Sequence, residues 1–327
     1  MIDLLSLVKS SSAYKIISQD KRAGRLSHAY LVVCSDQKYL DDYLKILAKL
    51  IMCQDMEPCE NCRACKLIEQ NAFVDCTFYP KNGESVVVED VNSLIEASYI
   101  KPLESDKRLF VISKGQTMNL SSQNKLLKTL EEPPKNVHIL IGATTEFAML
   151  PTVKSRVKRL DINPFSSQKL FECLKEDCKD LDRLRFAISC SDNTLGQASA
   201  LYLDETLKST MELVLDILIN MSSSSEVLEF SNKIVKSKLD ISQIISVLEL
   251  FLRDLLLLKL QSEDLVQNKQ VVSQLSCAKG FNQGAIVYIL DKITQAKIRK
   301  KFNANPTMLI EWLLFTILEG KFKWQKS

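Results

Sequence analysis

The sequence predicts an α/β protein: a doubly wound parallel sheet domain followed by two helical domains. Three observations predict it. Short apolar runs alternate with helical patterns through the first half of the chain. Seven of the eight prolines lie at or before Pro164 and the eighth is Pro306, so interrupted elements precede long uninterrupted ones. Glycine and proline number only eight each in 327 residues, about half their usual combined share, and both residues break helices.

The elements follow in order. Ala29–Cys34 (AYLVVC), Val74–Tyr79, Leu109–Ser113 (LFVIS) and Val137–Ala143 (VHILIGA) are short and rich in β-branched or aromatic residues, the composition of buried strands. Between them Tyr39–Met52, Val91–Ile100 and Gln123–Glu132 carry helical spacing. Strand–helix alternation implies a parallel sheet whose sites lie at the carboxyl ends of its strands. The first domain is expected over residues 1–164. A short helical block with a polar turn at Ser191–Thr194 fills 165–204. A third, helical domain fills 205–327, where Leu207, Met211, Leu215 and Leu218 share a face, as do Ile241, Ile245 and Leu248, and Ile286, Leu290 and Ile293. The serine run Ser222–Ser225 is a connector, and no internal repeat stands out.

Composition narrows the function classes. Hydrophobic residues are 46% and charged residues 25%, ordinary for a folded protein and unlike disorder. The net charge of +3 comes from 43 basic and 40 acidic residues, too balanced for binding nucleic acid by charge alone. The N-terminus MIDLLSLVKSSSAYK lacks the pattern of an export signal. The most apolar stretches, Ile241–Leu260 and Met308–Leu318, carry Glu249, Arg253, Asp254 and Glu311, so they read as buried or amphipathic helices and no membrane span is expected. A cytoplasmic location follows as the default, and the ten cysteines are then expected reduced.

Four of those cysteines form the sharpest local signal. Cys53, Cys59, Cys62 and Cys65 stand as C-x5-C-x2-C-x2-C. Four thiolates complete a tetrahedral zinc shell, and the two-residue gaps turn paired sulfurs toward one ion. The segment is too short for a core of its own, so a structural metal would substitute for one. Four reduced structural thiols are the alternative. A catalytic zinc is disfavoured, because it keeps an open position. Cys34, Cys76, Cys173, Cys178, Cys190 and Cys277 are scattered and read as small apolar residues.

The loop after the first strand has the position of a phosphate loop without its chemistry. That motif needs glycines whose backbone amides wrap phosphate, then lysine and a hydroxyl for phosphate and magnesium. Here the residues are Ser35, Asp36, Gln37, Lys38 and Tyr39. No glycine is present, Asp36 would repel phosphate, and Tyr39 stands where the hydroxyl residue should follow lysine. The third strand ends in Ser113 and Lys114, where active ATPases place an acidic magnesium ligand. Two independent positions thus lack magnesium ligands, which argues against ATP hydrolysis by this chain.

The stretch SSQNKLLKTLEEPPKNVHILIGATTEFAMLPTVKSRVKR, Ser121–Arg159, carries a resemblance. LLKTLEEPP (Leu126–Pro134), ATTE (Ala143–Glu146), LPTVKSR (Leu150–Arg156) and the upstream SHAYLV (Ser27–Val32) closely resemble the clamp-loader subunits of bacterial DNA polymerase III, in the AAA+ superfamily. The four-cysteine insertion after the first helix of the sheet fits them, and NANPTMLIEWLL (Asn303–Leu314) is similar to the end of their collar domain. The resemblance covers essentially the whole chain and is strongest over 22–165. It implies an AAA+ domain with a zinc module, a small helical lid and an all-α collar that oligomerises.

It also implies a function in DNA replication. Within this family the gamma/tau subunits hydrolyse ATP, whereas another type binds none of its own, and the degenerate loop resembles the latter. The chain would then sit in a five-subunit ring with gamma/tau and delta partners, acting on the sliding clamp and primer–template DNA. Ser155-Arg156-Val157 is similar to the family's Ser-Arg-Cys motif, whose arginine is a finger inserted into a neighbour's ATP site. A guanidinium suits that task, being always charged and bidentate toward phosphate oxygens. The motif's cysteine is Val157 here, and Lys154, Lys158 and Arg159 make the surrounding patch basic. Thr144 or Thr145 stands at the family's phosphate-sensing position, and Leu195–Ser199 lacks the second sensor's arginine.

Contacts to DNA are assigned least sharply. Lys21, Arg22 and Arg25 precede the first strand, and Lys297, Arg299, Lys300 and Lys301 end a C-terminal helix; a solvated face accounts for both clusters as well. His28 and His138 are expected to be packed. Two competing readings remain: an active gamma/tau-like ATPase using Lys38, and a zinc-dependent nucleic-acid binder. The neutral mixture Glu57, Glu60, Arg63 and Lys66 disfavours the second.

Overall fold

The structure is a computed structural model that describes residues 3–323, apart from 82, 84, 238, 267, 269, 270, 302 and 303; the side chains of residues 301 and 323 also lie outside the description. The chain forms two compact units, residues 1–177 with 194–196, and residues 178–193 with 197–327.

The first unit holds one sheet of five parallel strands: β1 (Ala29–Cys34), β2 (Cys76–Tyr79), β3 (Arg108–Ile112), β4 (Val137–Ala143) and β5 (Lys158–Ile162). Their order is β2-β3-β4-β1-β5, with Leu31 opposite Ile141 and Arg159 on its two sides. Its helices are α1 (Leu4–Lys9), α2 (Ser12–Arg22), α3 (Leu40–Met52), α4 (Arg63–Glu69), α5 (Val88–Ser98), α6 (Leu120–Glu131), α7 (Pro151–Lys154) and α8 (Ser167–Leu174). Successive strand residues point to opposite faces. Leu31, Phe110, Ile112, Ile139 and Ile141 therefore pack with Val91 and Leu94 of α5 and Leu126 and Leu130 of α6. On the other face Gly142 lies beneath α3: a Cβ there would stand 2.4 Å from Leu44 Cδ1, so any larger residue requires the Leu44 side chain to shift.

The strands expected at 29–34 and 137–143 are present with those bounds, and those expected at 74–79 and 109–113 are present with ends shifted by one or two residues. Helix α6 begins three residues before the expected Gln123, because the Asn119 side chain caps it by accepting from the Ser122 N–H at 2.8 Å. Strand β5 was not expected from the sequence. Its Lys158 and Arg159 are exposed and only Leu160 and Ile162 are buried, so a lone edge strand shows too little apolar pattern to be read.

The second unit is helical: α9 (Leu181–Ser189), α10 (Leu195–Leu203, whose first two residues belong to the first unit), α11 (Thr206–Asn220), α12 (Ser224–Ser237), α13 (Ile241–Lys259), α14 (Val272–Leu275), α15 (Gln283–Lys301) and α16 (Pro306–Lys323). The polar turn before α10 contains Asp192 and Asn193 in the left-handed backbone region, at φ 44° and 58°. Leu207, Leu215 and Leu218 of α11 join Ile245 and Leu248 of α13 and Ile286 and Ile293 of α15 in one core, as their helical spacing predicts. Among the described residues no helix is long and apolar enough to cross a membrane.

Candidate functional site

Three places in the first unit carry chemistry. The cysteine cluster begins where α3 ends. The Lys21 ammonium donates to the carbonyls of Leu50 (2.7 Å), Cys53 (2.7 Å) and Asp55 (2.5 Å), fixing the chain around the first cysteine. The Cys53 sulfur lies 3.6 Å from that of Cys59 and 3.8 Å from that of Cys62, and the four sulfurs fall within 4.8 Å of one another. A tetrahedral shell with Zn–S near ~2.3 Å places its sulfurs about 3.8 Å apart, so the donor set fits a metal ion such as zinc. The backbone N–H groups of Cys62 and Cys65 donate to the sulfurs of Cys59 (3.3 Å) and Cys62 (3.4 Å). Donation from Cys62 and Asn61 pulls the Cys59 thiol down to about 7, while burial pushes Cys53 and Cys65 up.

Lys49 of α3, only 4% exposed, clamps the module by pairing with Glu60 at 2.6 Å and Glu69 at 2.8 Å. Burial alone would lower its pKa; the hydrogen bonds and charges of the two carboxylates outweigh burial and raise it.

At the loop after β1, Asp36 is buried, at 5% exposure. Its carboxylate accepts from the Gly196 N–H at 2.8 Å, the Tyr39 N–H at 3.3 Å and the Tyr43 hydroxyl at 3.2 Å. Burial and the Asp36 charge together push the Tyr43 phenol far above its ordinary value. Tyr39 precedes α3 and Gly196 lies in the first turn of α10, so two helix amino ends that would suit an anion are turned onto the chain's own carboxylate. The Lys38 ammonium lies 5.4 Å from the centre of the Tyr39 ring. At the end of β3 the Ser113 hydroxyl donates to the Tyr79 carbonyl at 3.3 Å. At the end of β4 the Thr145 hydroxyl accepts from the Phe147 N–H at 3.3 Å, and the Thr144 N–H donates to the Gln116 side chain at 3.3 Å. Gln116 was not singled out in the sequence, and Gly196 entered only as part of Leu195–Ser199; it lies 160 residues from Asp36, and no local pattern links the two.

Arg156 follows α7 and its cap Ser155. Its guanidinium donates to the Thr152 carbonyl at 2.8 Å and the Ser155 hydroxyl at 3.1 Å, and it pairs with Glu131 at 2.5 Å. The segment is anchored by Gln123, 2% exposed, which the sequence reading missed. Gln123 donates to the carbonyls of Met118 (3.1 Å) and Ala148 (2.9 Å) and accepts from the Leu150 N–H (2.7 Å). The available signal was its position, one turn before Leu126 on the buried face of α6. Val157 packs against the sheet core. Two of the three basic neighbours are paired: Lys158 with Asp20 at 2.6 Å, and Arg159 with Glu146 at 2.6 Å and Asp161 at 2.9 Å.

The two basic clusters are also largely engaged. Lys21 is held by three carbonyls, and Arg22 lies 3.8 Å from Glu57. Lys297 pairs with Glu249 (2.6 Å) and Asp192 (3.3 Å), Lys300 with Asp240 (3.3 Å), and Arg299 stacks 4.3 Å from the centre of the Trp312 ring. The Lys301 side chain and Asn303 lie outside the described residues. Arg25 is exposed. His138 is packed as expected: its Nδ1 lies 2.8 Å from the Ser27 carbonyl oxygen, and burial lowers its pKa. Nε2 of His28 lies 3.1 Å from the Arg156 carbonyl oxygen.

Comparison with known proteins agrees with these features. Residues 9–166 match the family model described as DNA polymerase III, delta subunit. The chain is 26% identical over 313 residues to the DNA polymerase III subunit delta' of Bacillus subtilis, covering 94% of this chain and 95% of that one. It is 31% identical over 163 residues to the DNA polymerase III subunit gamma of Buchnera aphidicola from Acyrthosiphon pisum, covering 49% of this chain and 45% of that one. Among solved structures, a gamma subunit-related protein of DNA polymerase III from Thermotoga maritima aligns with a TM-score of 0.41 at 17% identity, covering 97% and 98% of the two chains. The five strands all lie within the residues that match the delta subunit family, and 94% of the chain aligns with a delta' subunit, so the chain is similar to subunits of DNA polymerase III over nearly its whole length.

Proposed function

We propose that the chain is a delta prime-type subunit: a clamp-loader component that turns over no ATP itself and lends Arg156 to a neighbour's ATP site. The observation that carries this reading is the buried Asp36 carboxylate, which takes the N–H groups of Tyr39 and Gly196 where a phosphate loop would offer backbone donors. The loop has no glycine, and the end of β3 offers Ser113 in place of an acidic magnesium ligand. A nucleotide would have to displace a buried charge from its partners.

In this reading zinc fills the Cys53, Cys59, Cys62 and Cys65 shell as a structural ion. The chain has the three-domain organisation 1–164, 165–204 and 205–327, with the last assembling into a five-membered ring beside gamma/tau and delta subunits. The ring meets the sliding clamp and primer–template DNA in the cytoplasm. The coverage of the delta' relative, 95% of its length against 45% for the gamma relative, favours this over an active gamma/tau-like ATPase.

The test is Arg156→Ala in the reconstituted ring. A trans arginine contributes on the order of 10³–10⁵ to turnover at its site, so the ring is expected to assemble and to lose the receiving site's share of DNA-stimulated ATP hydrolysis. Unchanged hydrolysis by an assembled ring contradicts the assignment.

A further inference from the structure

The surroundings of Arg156 carry one step more, which rests on the reading of that residue as a trans finger. We propose that Glu131 is a positioning residue for Arg156: its carboxylate holds the guanidinium folded back on its own chain, and a neighbour's triphosphate completes its site by displacing that carboxylate.

Glu131 is the last residue of α6 and is followed by Glu132. A helix carboxyl end favours cations and disfavours carboxylates, so the helix gives Glu131 no electrostatic reason to be acidic. The counter-charge is Arg156, 2.5 Å away. The remaining guanidinium contacts also turn toward the chain, to the Thr152 carbonyl and the Ser155 hydroxyl.

The geometry separates a fixed base from an exchangeable tip. The backbone is held, with the Arg156 carbonyl 3.1 Å from Nε2 of His28 and the preceding loop tied to Gln123. The tip is not enclosed: the Arg156 side chain is 33% exposed and that of Glu131 is 48% exposed. The pair sits at the mouth of an open hollow of about 650 Å³ between the start of β1 and the end of α6. Carboxylate and phosphate bind guanidinium through the same paired N–H donors. A triphosphate carries the higher charge and wins the exchange once the neighbour is seated, whereas a loosely docked neighbour does not. Glu131 thereby suppresses turnover before the ring has closed on its substrates.

An exposed ion pair biases such an equilibrium by about two- to fivefold. In the ring reconstituted with its own gamma/tau and delta partners, Glu131→Gln is expected to raise ATP turnover measured without clamp or DNA by that factor. The fully stimulated rate should stay within about twofold of the parent ring. The excess should fade at high salt, which screens the pair in the parent protein. Glu131→Gln combined with Arg156→Ala should behave as Arg156→Ala alone, since the carboxylate acts only through the guanidinium.

A basal rate that is unchanged or lower in Glu131→Gln, with Arg156→Ala still impaired, overturns the proposal and leaves the finger assignment standing. A double variant that differs from Arg156→Ala overturns it too. Full activity of Arg156→Ala fails the underlying assignment instead.

Discussion

Asp36 and Gly196 form a fitted pair whose cost can be measured one atom at a time. A Cβ added at Gly196 would stand 2.4 Å from Asp36 Oδ1 and 2.9 Å from Lys38 Cβ. Glycine to alanine in a helix normally gains up to about 1 kcal/mol; here the overlap with a buried carboxylate outweighs that gain. Gly196→Ala is expected to destabilise by about 1–3 kcal/mol in urea unfolding, and by much less when Asp36 is also alanine. Equal costs in the two backgrounds would show that the carboxylate is not what the glycine accommodates.

Asp75 shows a second strongly held carboxylate, fully buried and accepting from the N–H groups of Leu103 (2.8 Å), Glu104 (2.7 Å) and Ser105 (2.8 Å). Burial would raise its pKa, but these donors and the Ser105 hydroxyl outweigh burial and lower it. Its folded pKa lies below that of an unfolded aspartate, ~3.9. The stabilisation is therefore present above that value and disappears as pH falls through the folded pKa. Asp75→Asn should cost about 2–3 kcal/mol at pH 7 and progressively less below about pH 4; a cost that persists undiminished in acid would contradict this account.

At the scale of elements, the cysteine module is where a bound ion would contribute most to the local structure. Residues 53–62 contain no helix or strand and are held by the sulfur cluster, by Lys21 and by Lys49. Metal analysis is expected to find one zinc per chain. Its removal by chelation should open 54–62 to protease while the parallel sheet stays folded; a metal-free protein with the same protection would remove the structural role. This module was legible because cysteine spacing is a local pattern. Strands β1, β3 and β4 were legible for the same reason, as continuous apolar runs. What escaped was set by partners distant in sequence: β5 is a strand only because it pairs with β1, and Gln123 is important only because loops ending at Met118 and Leu150 meet it. The sequence marked Asp36 as hostile to phosphate, but its larger role as the acceptor for Gly196 required the fold.

For the whole molecule, the near balance of 43 basic and 40 acidic residues has a structural counterpart. Many of the lysines and arginines that stood out in the sequence meet carboxylates or carbonyls of their own chain, as Lys21, Lys158, Arg159, Lys297 and Lys300 do. Under the proposed function, DNA contact is therefore expected of the assembled ring and not of one basic surface of the isolated chain. The proposed function turns on the loop after β1 holding a buried carboxylate where a phosphate loop would bind nucleotide. Calorimetric titration of the isolated full-length chain with ATP and magnesium, paired with a phosphate-release assay, tests it most directly. The account predicts no saturable binding at micromolar nucleotide and no turnover; micromolar affinity accompanied by hydrolysis would contradict it.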